Sequence, residues 1–158
     1  MFDEFSERSL RVVFLVRKDA GRRGAAALEP VHLLDAVVRE DQGEMAARFS
    51  GAVTGSEPLQ PPQRPFFSAE VSSLILSMLE HALPPRGEPV ADSADMECSP
   101  SLGEIFASAS ALAKKLHHDK VEPLHLVAAM LSTETGAVSE ILKRVGISRE
   151  AVIASIQS

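Results

Sequence analysis

A chain of 158 residues, 45% apolar and 24% charged, is long enough to bury a core as one soluble globular domain. Its net charge of −6, with basic residues scattered in pairs such as Arg17-Lys18, Arg22-Arg23 and Lys114-Lys115, argues against a nucleic-acid partner. The apolar run around Val12–Val16 falls far short of the roughly 20 residues of a membrane span, the N-terminus is acidic where a signal peptide is basic, and Cys98 is the only cysteine; a cytoplasmic protein without membrane contact is expected.

Taken in order, Asp3 to about Ala20 reads as a helix, with Phe5, Ser9, Val12, Val13, Val16 and Ala20 on one face and Ser6 or Asp3 as its cap. Gly21 and Gly24 break that pattern, and Pro30 opens a second helix that runs to about Glu40. Gly43 separates it from a short helix at Glu44–Phe49, followed by a Pro- and Gly-rich loop from Gly51 to Pro65. Ser68 caps the next helix, whose expected buried face is Val71, Leu74, Ile75, Met78, Leu79 and Ala82, and Pro84-Pro85 stops it. Residues 84–98 hold three prolines and four acidic residues without a period, and are expected to form a mobile connector. Helices are then expected over Ser99–Leu116, Pro123–Leu131, Ala137–Val145 and Ser148–Gln157.

The chain contains itself twice. Leu28-Glu29-Pro30-Val31-His32-Leu33-Leu34 returns as Val121-Glu122-Pro123-Leu124-His125-Leu126-Val127, 93 positions later. The register holds without a gap from Ser6/Ser99 to Val38/Leu131 and pairs Val12 with Ile105, Val16 with Ala109 and Ala20 with Ala113. Two amphipathic helices could match by period alone; a shared Glu-Pro-apolar-His-Leu in one register is a repeat. The expected architecture is all-α: two repeated four-helix units packed about a pseudo-twofold axis, because neither unit covers its apolar face alone. The boundaries read as one domain over 1–158, with repeat one at 1–83, the connector at 84–98 and repeat two at 99–158.

On these residues the chain resembles the Clp N-terminal (Clp repeat) domain family, found at the front of Clp AAA+ unfoldases. Phe5-Ser6-Glu7-Arg8 with Val12-Val13 resembles the family's opening. The stretches 28–34 and 121–127 resemble its signature at the start of the second helix, and Gly43 and Gly136 its following glycine. In some relatives the acidic residue before the signature His helps to bind phosphoarginine; here Val31 and Leu124 stand in its place, and an apolar side chain cannot pair with a guanidinium. Glu29 and Glu122 lie two positions earlier and do not obviously substitute. No Walker A loop is present, since Gly21-Arg-Arg-Gly24-Ala-Ala-Ala lacks both the spacing and the Lys. The resemblance implies a protein-interaction module without its motor.

Chemical candidates are few. His32 and His125 are expected to satisfy a backbone group before their helices rather than to form a site. His117-His118 with His125 and Asp119 is rich in metal-ligand types, but adjacent residues on a helix point about 100° apart, so no metal site is expected. Cys98 lies among Asp92, Asp95 and Glu97, which would raise its pKa. Asp3-Glu4 and Glu40-Asp41 read as solvated helix ends, and no nucleophile–base–oxyanion set exists, so no enzyme and no cofactor are expected. Met78, Met96 and Met130 could line an adaptable groove, although helical spacing favours core roles for Met78 and Met130. Phe66 and Phe67 are expected to place one ring as a staple on the following helix and to expose the other.

The site that follows is a protein-binding surface of Glu29, Val31, His32, Glu122, Leu124 and His125, with Phe66 and Phe67. Its implied partners are Clp ATPase or protease subunits, adaptors or unfolded protein segments. Two alternatives stand beside it: the front domain of a longer Clp unfoldase, and a small-molecule sensor using a cavity between the repeats.

Overall fold

The computed structural model describes residues 2–43, 65–83, 87–91, 96–132 and 136–157. Seven helices occur among them: α1 (Glu7–Arg22), α2 (Pro30–Asp41), α3 (Ala69–Ala82), α4 (Pro100–Lys115), α5 (Pro123–Ser132), α6 (Ala137–Arg144) and α7 (Arg149–Gln157). The expected short helix at 44–49, the loop at 51–64 and the Pro84-Pro85 stop lie outside the described residues.

Hydroxyl caps set the helix starts. Ser6 Oγ accepts the Ser9 N–H at 3.2 Å, and Ser99 Oγ accepts the Leu102 N–H at 3.2 Å. Ser68 does the same for Val71 at the head of α3, at 3.1 Å. The first helix therefore begins after Ser6, not at Asp3, because Glu4 and Phe5 are used in a contact between the repeats. Both first helices begin one residue after their serine, and their ends, like their starts, lie 93 positions apart.

The pseudo-twofold is visible in backbone bonds. Phe5 bridges Val121: the Ser6 N–H donates to the Val121 carbonyl at 3.1 Å and the Val121 N–H to the Glu4 carbonyl at 2.7 Å. Leu28 bridges Cys98 in the same way, with Ser99 N–H to Leu28 carbonyl and Leu28 N–H to Glu97 carbonyl, both at 2.8 Å. Adding 93 to Glu4, Phe5, Ser6 and Leu28 gives Glu97, Cys98, Ser99 and Val121, so one bridge becomes the other. Helix contacts follow the same exchange: α1 touches α5 and α4 touches α2, while α2 and α5 also meet directly.

Helices α2 and α5 form the centre. Residues 32–38 and 125–131 are all buried, as befits helices apolar on nearly every face. Each fully buried Leu or Val there contributes about 1.5–3 kcal/mol by leaving water. Leu15 on α1 is also fully buried, whereas Val13, expected in the core, is half-buried. Leu74 and Ala82, expected to face the core, are exposed, Leu74 by 51%. α3 packs on α2 and α6 through a narrower stripe centred on Ser72, Ile75 and Leu79.

Of the expected connector at 84–98, residues 87–91 and 96–98 are described. The Gly87 N–H donates to the Arg23 carbonyl and the Val90 N–H to the Gly21 carbonyl, both at 2.8 Å, which straps residues 87–91 across the end of α1. Cys98, further on, is fixed by its bridge to Leu28.

Candidate functional site

The two signature helices start identically. The Glu29 N–H donates to His32 Nδ1 at 2.9 Å, and the Glu122 N–H to His125 Nδ1 at 2.7 Å. Each ring thus satisfies one of the backbone donors that a helix start leaves open. An Nδ1 that accepts requires the proton on Nε2, so both rings are neutral. Burial is the main cause that lowers the His32 pKa, and burial together with the neighbouring His118 lowers that of His125 to about 4. These histidines are structural, as their place in the repeat implies.

The rings differ at their other nitrogen. His125 Nε2 lies 3.0 Å from His118 Nδ1, whereas His32 Nε2 is buried without a hydrogen-bond partner. His117 is exposed and has φ of 60°, and among the described residues no group of three His, Cys, Asp or Glu is placed to hold a metal ion.

Val31 and Leu124 sit half-buried in the first turns of α2 and α5, packed against the edge of the core. Glu122 reaches across the repeat boundary, where its carboxylate accepts a hydrogen bond from Ser6 Oγ at 3.1 Å; Ser9 Oγ donates to the Val121 carbonyl beside it at 2.7 Å. Glu29 is half-buried at the equivalent start of α2. The Phe2, Phe5 and Phe106 rings cluster at this boundary with centroids 5.0–5.8 Å apart.

Phe66 and Phe67 lie elsewhere, at the entry to α3. Their N–H groups donate to the two carboxylate oxygens of Asp41, each at 2.9 Å, and Gln42 Nε2 donates to the Phe67 carbonyl at 2.9 Å. Phe67 is buried; Phe66 is half-buried against the core rather than exposed, and the two rings meet edge to face. The expected site residues therefore fall in two groups, one at the starts of α2 and α5 and one at the end of α2.

The reading of Glu40-Asp41 as a solvated helix end is overturned. Both are buried, and Arg8 Nη2 lies 2.7 Å from Glu40 and 4.0 Å from Asp41. The carboxylates raise the Arg8 pKa against the lowering effect of its burial. Arg8 is 32 positions away from Glu40, so no local spacing signals the pair. Asp35, also buried, pairs with Arg39 at 3.0 Å, and burial raises its pKa in spite of that partner.

Cys98 is exposed, and desolvation pushes its thiol pKa up, in the expected direction; Asp92 and Asp95 lie outside the described residues. Met130 is fully buried and Met78 half-buried. Two hollows lie away from the starts of α2 and α5: one of about 420 Å³ between α3 and α6, lined by Met78, His81, Ala137 and Ile141, and one of about 510 Å³ between the end of α5 and the start of α7, lined by Leu131, Lys143, Ile147 and Arg149. None of the expected site residues lines either. No described helix is long and apolar enough to cross a membrane.

Comparison with known proteins matches this geometry. Residues 97–158 match the model of the Clp repeat (R) N-terminal domain. The chain is 26% identical over 148 residues to the negative regulator of genetic competence ClpC/MecB of Bacillus subtilis, and 23% identical over 146 residues to the chloroplastic chaperone protein ClpD of Arabidopsis thaliana. These alignments take in 94% and 92% of the chain but only 16% and 15% of the relatives. Among solved structures, a chain from a malarial protein secretion system superposes with a TM-score of 0.69 at 22% identity, covering 98% of this chain and 92% of that one. The N-terminal domain of ClpD from Arabidopsis thaliana gives 0.62 at 20% with the same coverages, and that of Hsp104 from Candida albicans gives 0.64 at 14%, covering 96% and 88%. Residues 97–158 thus resemble the Clp repeat N-terminal domain, and the chain as a whole has the fold of the Clp and Hsp104 N-terminal domains.

Proposed function

We propose that the chain is a non-catalytic protein-interaction module, acting in the cytoplasm as an accessory or as a substrate- or adaptor-binding factor of a Clp ATPase–protease system. One observation carries this: both repeats, over 98% of the chain, take the fold of a Clp chaperone N-terminal domain. The mechanism is occupancy. A segment of a partner lies on the rim formed by Val31 and Leu124, flanked by Glu29, Glu122 and the two helix starts that His32 and His125 hold rigid. Half-buried Phe66, backed by the buried Phe67 ring, adds apolar surface near the end of α2. Phosphoarginine recognition is not part of this proposal, because Val31 and Leu124 supply no carboxylate.

A second reading is supported by the relatives' lengths: a chain that matches 16% of ClpC/MecB is a fit for the front domain of a longer unfoldase. Titrating the purified chain against the Clp ATPase, its protease and its adaptors from the same source tests both. An accessory factor binds the ATPase or protease, a front domain binds adaptors or unfolded segments but not the ATPase, and a chain that binds none of them ends both readings. In either case Val31→Asp with Leu124→Asp weakens binding tenfold or more while the unfolding midpoint holds. Unchanged affinity in that folded variant removes the rim from the proposal.

A further inference from the structure

The strap across the end of α1 is held in an unusual way. Two of its N–H groups, those of Gly87 and Val90, bond the carbonyls of Arg23 and Gly21 at 2.8 Å, and Arg17 Nη2 donates to the Ala91 carbonyl at 2.8 Å. Every one of these bonds reads strap backbone. The close approach is built in on both sides: a Cβ on Gly24 would lie 2.4 Å from the Glu88 carbonyl oxygen, and one on Gly87 would lie 3.1 Å from the Gly24 carbonyl oxygen. Gly21 also lies against the strap, where a Cβ would stand 3.2 Å from the Val90 oxygen.

Side chains hold the strap hardly at all. Gly87, Glu88, Pro89 and Ala91 are exposed and only Val90 is half-buried, so little apolar surface would be uncovered on release. Segments with few buried contacts and solvent-facing backbone bonds open well below the free energy of global unfolding. The second repeat cannot form such a seat. The counterparts of Arg17, Gly21 and Gly24 are Ser110, Lys114 and His117, and a side chain at the last position occupies the space the strap needs. The seat is therefore specific to repeat one rather than an automatic product of the duplicated fold.

We propose that the end of α1 is a seat for an extended peptide, filled in the resting chain by residues 87–91 and open to a partner's extended segment of the same small–acidic–proline–apolar–small character. This rests on reading the chain as a protein-interaction module and adds a second, self-occluded contact. A tethered strap competes at an effective concentration in the millimolar range, so a free segment enters only when the strap is displaced or the partner is anchored elsewhere.

Two measurements test it. In native-state hydrogen exchange of the wild-type chain, the Gly87 and Val90 amides are expected to exchange at least a hundredfold faster than the buried α2 amides of Leu34 and Val37. Exchange at the same rate as those amides means the strap opens only on global unfolding and overturns the proposal. In the second, Gly87→Pro and Val90→Pro together remove both strap N–H donors, and a labelled, end-capped Gly-Glu-Pro-Val-Ala peptide is titrated by fluorescence anisotropy. Binding to that variant at least tenfold tighter than to wild type, and absent for a scrambled peptide, supports the seat. Equal or absent binding, or a variant that no longer folds, overturns it. Clp-component binding by the wild-type chain is scored separately, so a strap that never opens removes this inference and leaves the module reading standing.

Discussion

His125 shares a 3.0 Å hydrogen bond with His118, and His32, its counterpart in the other repeat, has Ala25 where that second ring would stand. The duplicated fold thus contains its own comparison: the same buried imidazole, satisfied at both nitrogens in one repeat and at one in the other. Removing a partner from a buried donor costs about 1–3 kcal/mol, more than the net worth of the bond itself. His118→Ala is therefore expected to lower stability by about that amount, and Ala25→His to raise it by about 1 kcal/mol by offering His32 Nε2 an acceptor. Urea midpoints of the two variants decide this. Shifts in the same direction would show that the ring pair does not govern stability at these sites.

The same ring sets a pH dependence. Folding lowers the His125 pKa from 6.5 to about 4, chiefly through burial and then through His118. Between those values the unfolded chain binds more protons than the folded one, so stability is full above about pH 6.5 and falls as the pH drops towards 4, by at most about 1.4 kcal/mol per pH unit for one proton. His32, also lowered, adds to the slope in the same direction. Asp35, raised by burial, opposes it in the acid part of the range. His125→Asn retains a side-chain acceptor for the Glu122 N–H and cannot titrate. Its urea midpoint is expected to vary less between pH 4.5 and 7 than that of wild type; parallel curves would assign the slope to other groups.

Much of this fold was legible because it rests on local signals repeated twice. Ser6 and Ser99, Pro30 and Pro123, and His32 and His125 each perform at the second copy what they perform at the first. What was not legible depended on distance. Glu40 and Asp41 look solvated until Arg8, a helix away, and the Phe66-Phe67 backbone close over them. Leu74 looked buried because α3 carries a wider apolar stripe than its neighbours α2 and α6 cover. The strap carries no period at all, since its side chains take little part in holding it. The site was legible only in part: the histidines' roles followed from the repeat, whereas the cross-repeat bond from Ser6 to Glu122 required the pseudo-twofold packing.

Gly24 and His117 are counterparts, and both are left-handed, with φ of 68° and 60°. That conformation is free for glycine and costs a residue with a Cβ roughly 1 kcal/mol or more. His117→Gly is therefore expected to stabilise the chain by up to about 1 kcal/mol, less whatever backbone freedom glycine adds to the unfolded state. Gly24→Ala is expected to destabilise it, because its Cβ would add a clash with Gly87 and Glu88 to the same strain. Thermal unfolding measures both, and faster exchange at Gly87 and Val90 in Gly24→Ala identifies the strap as the element displaced. A Gly24→Ala variant as stable as wild type would mean that the strap yields at no cost.

Asp41 ties three parts of repeat one together. Its two oxygens accept the Phe66 and Phe67 N–H groups at 2.9 Å each, it lies 4.0 Å from Arg8, and Gln42 beside it bonds the Phe67 carbonyl. Asp41→Ala leaves two backbone donors unpaired, one of them on a buried residue, and is expected to cost about 2–4 kcal/mol. Asp41→Asn keeps one carbonyl oxygen as an acceptor and is expected to lose about half as much. Glu40→Gln keeps a neutral acceptor for Arg8 and removes a charge pair whose arginine is 38% exposed, so its loss is expected to stay near 1 kcal/mol. Chemical unfolding of the three variants orders them as Asp41→Ala, Asp41→Asn, Glu40→Gln. If Glu40→Gln proves the most damaging, the ion pair rather than the clamped backbone fixes the entry to α3, and Phe66 and Phe67 owe their placement to Arg8.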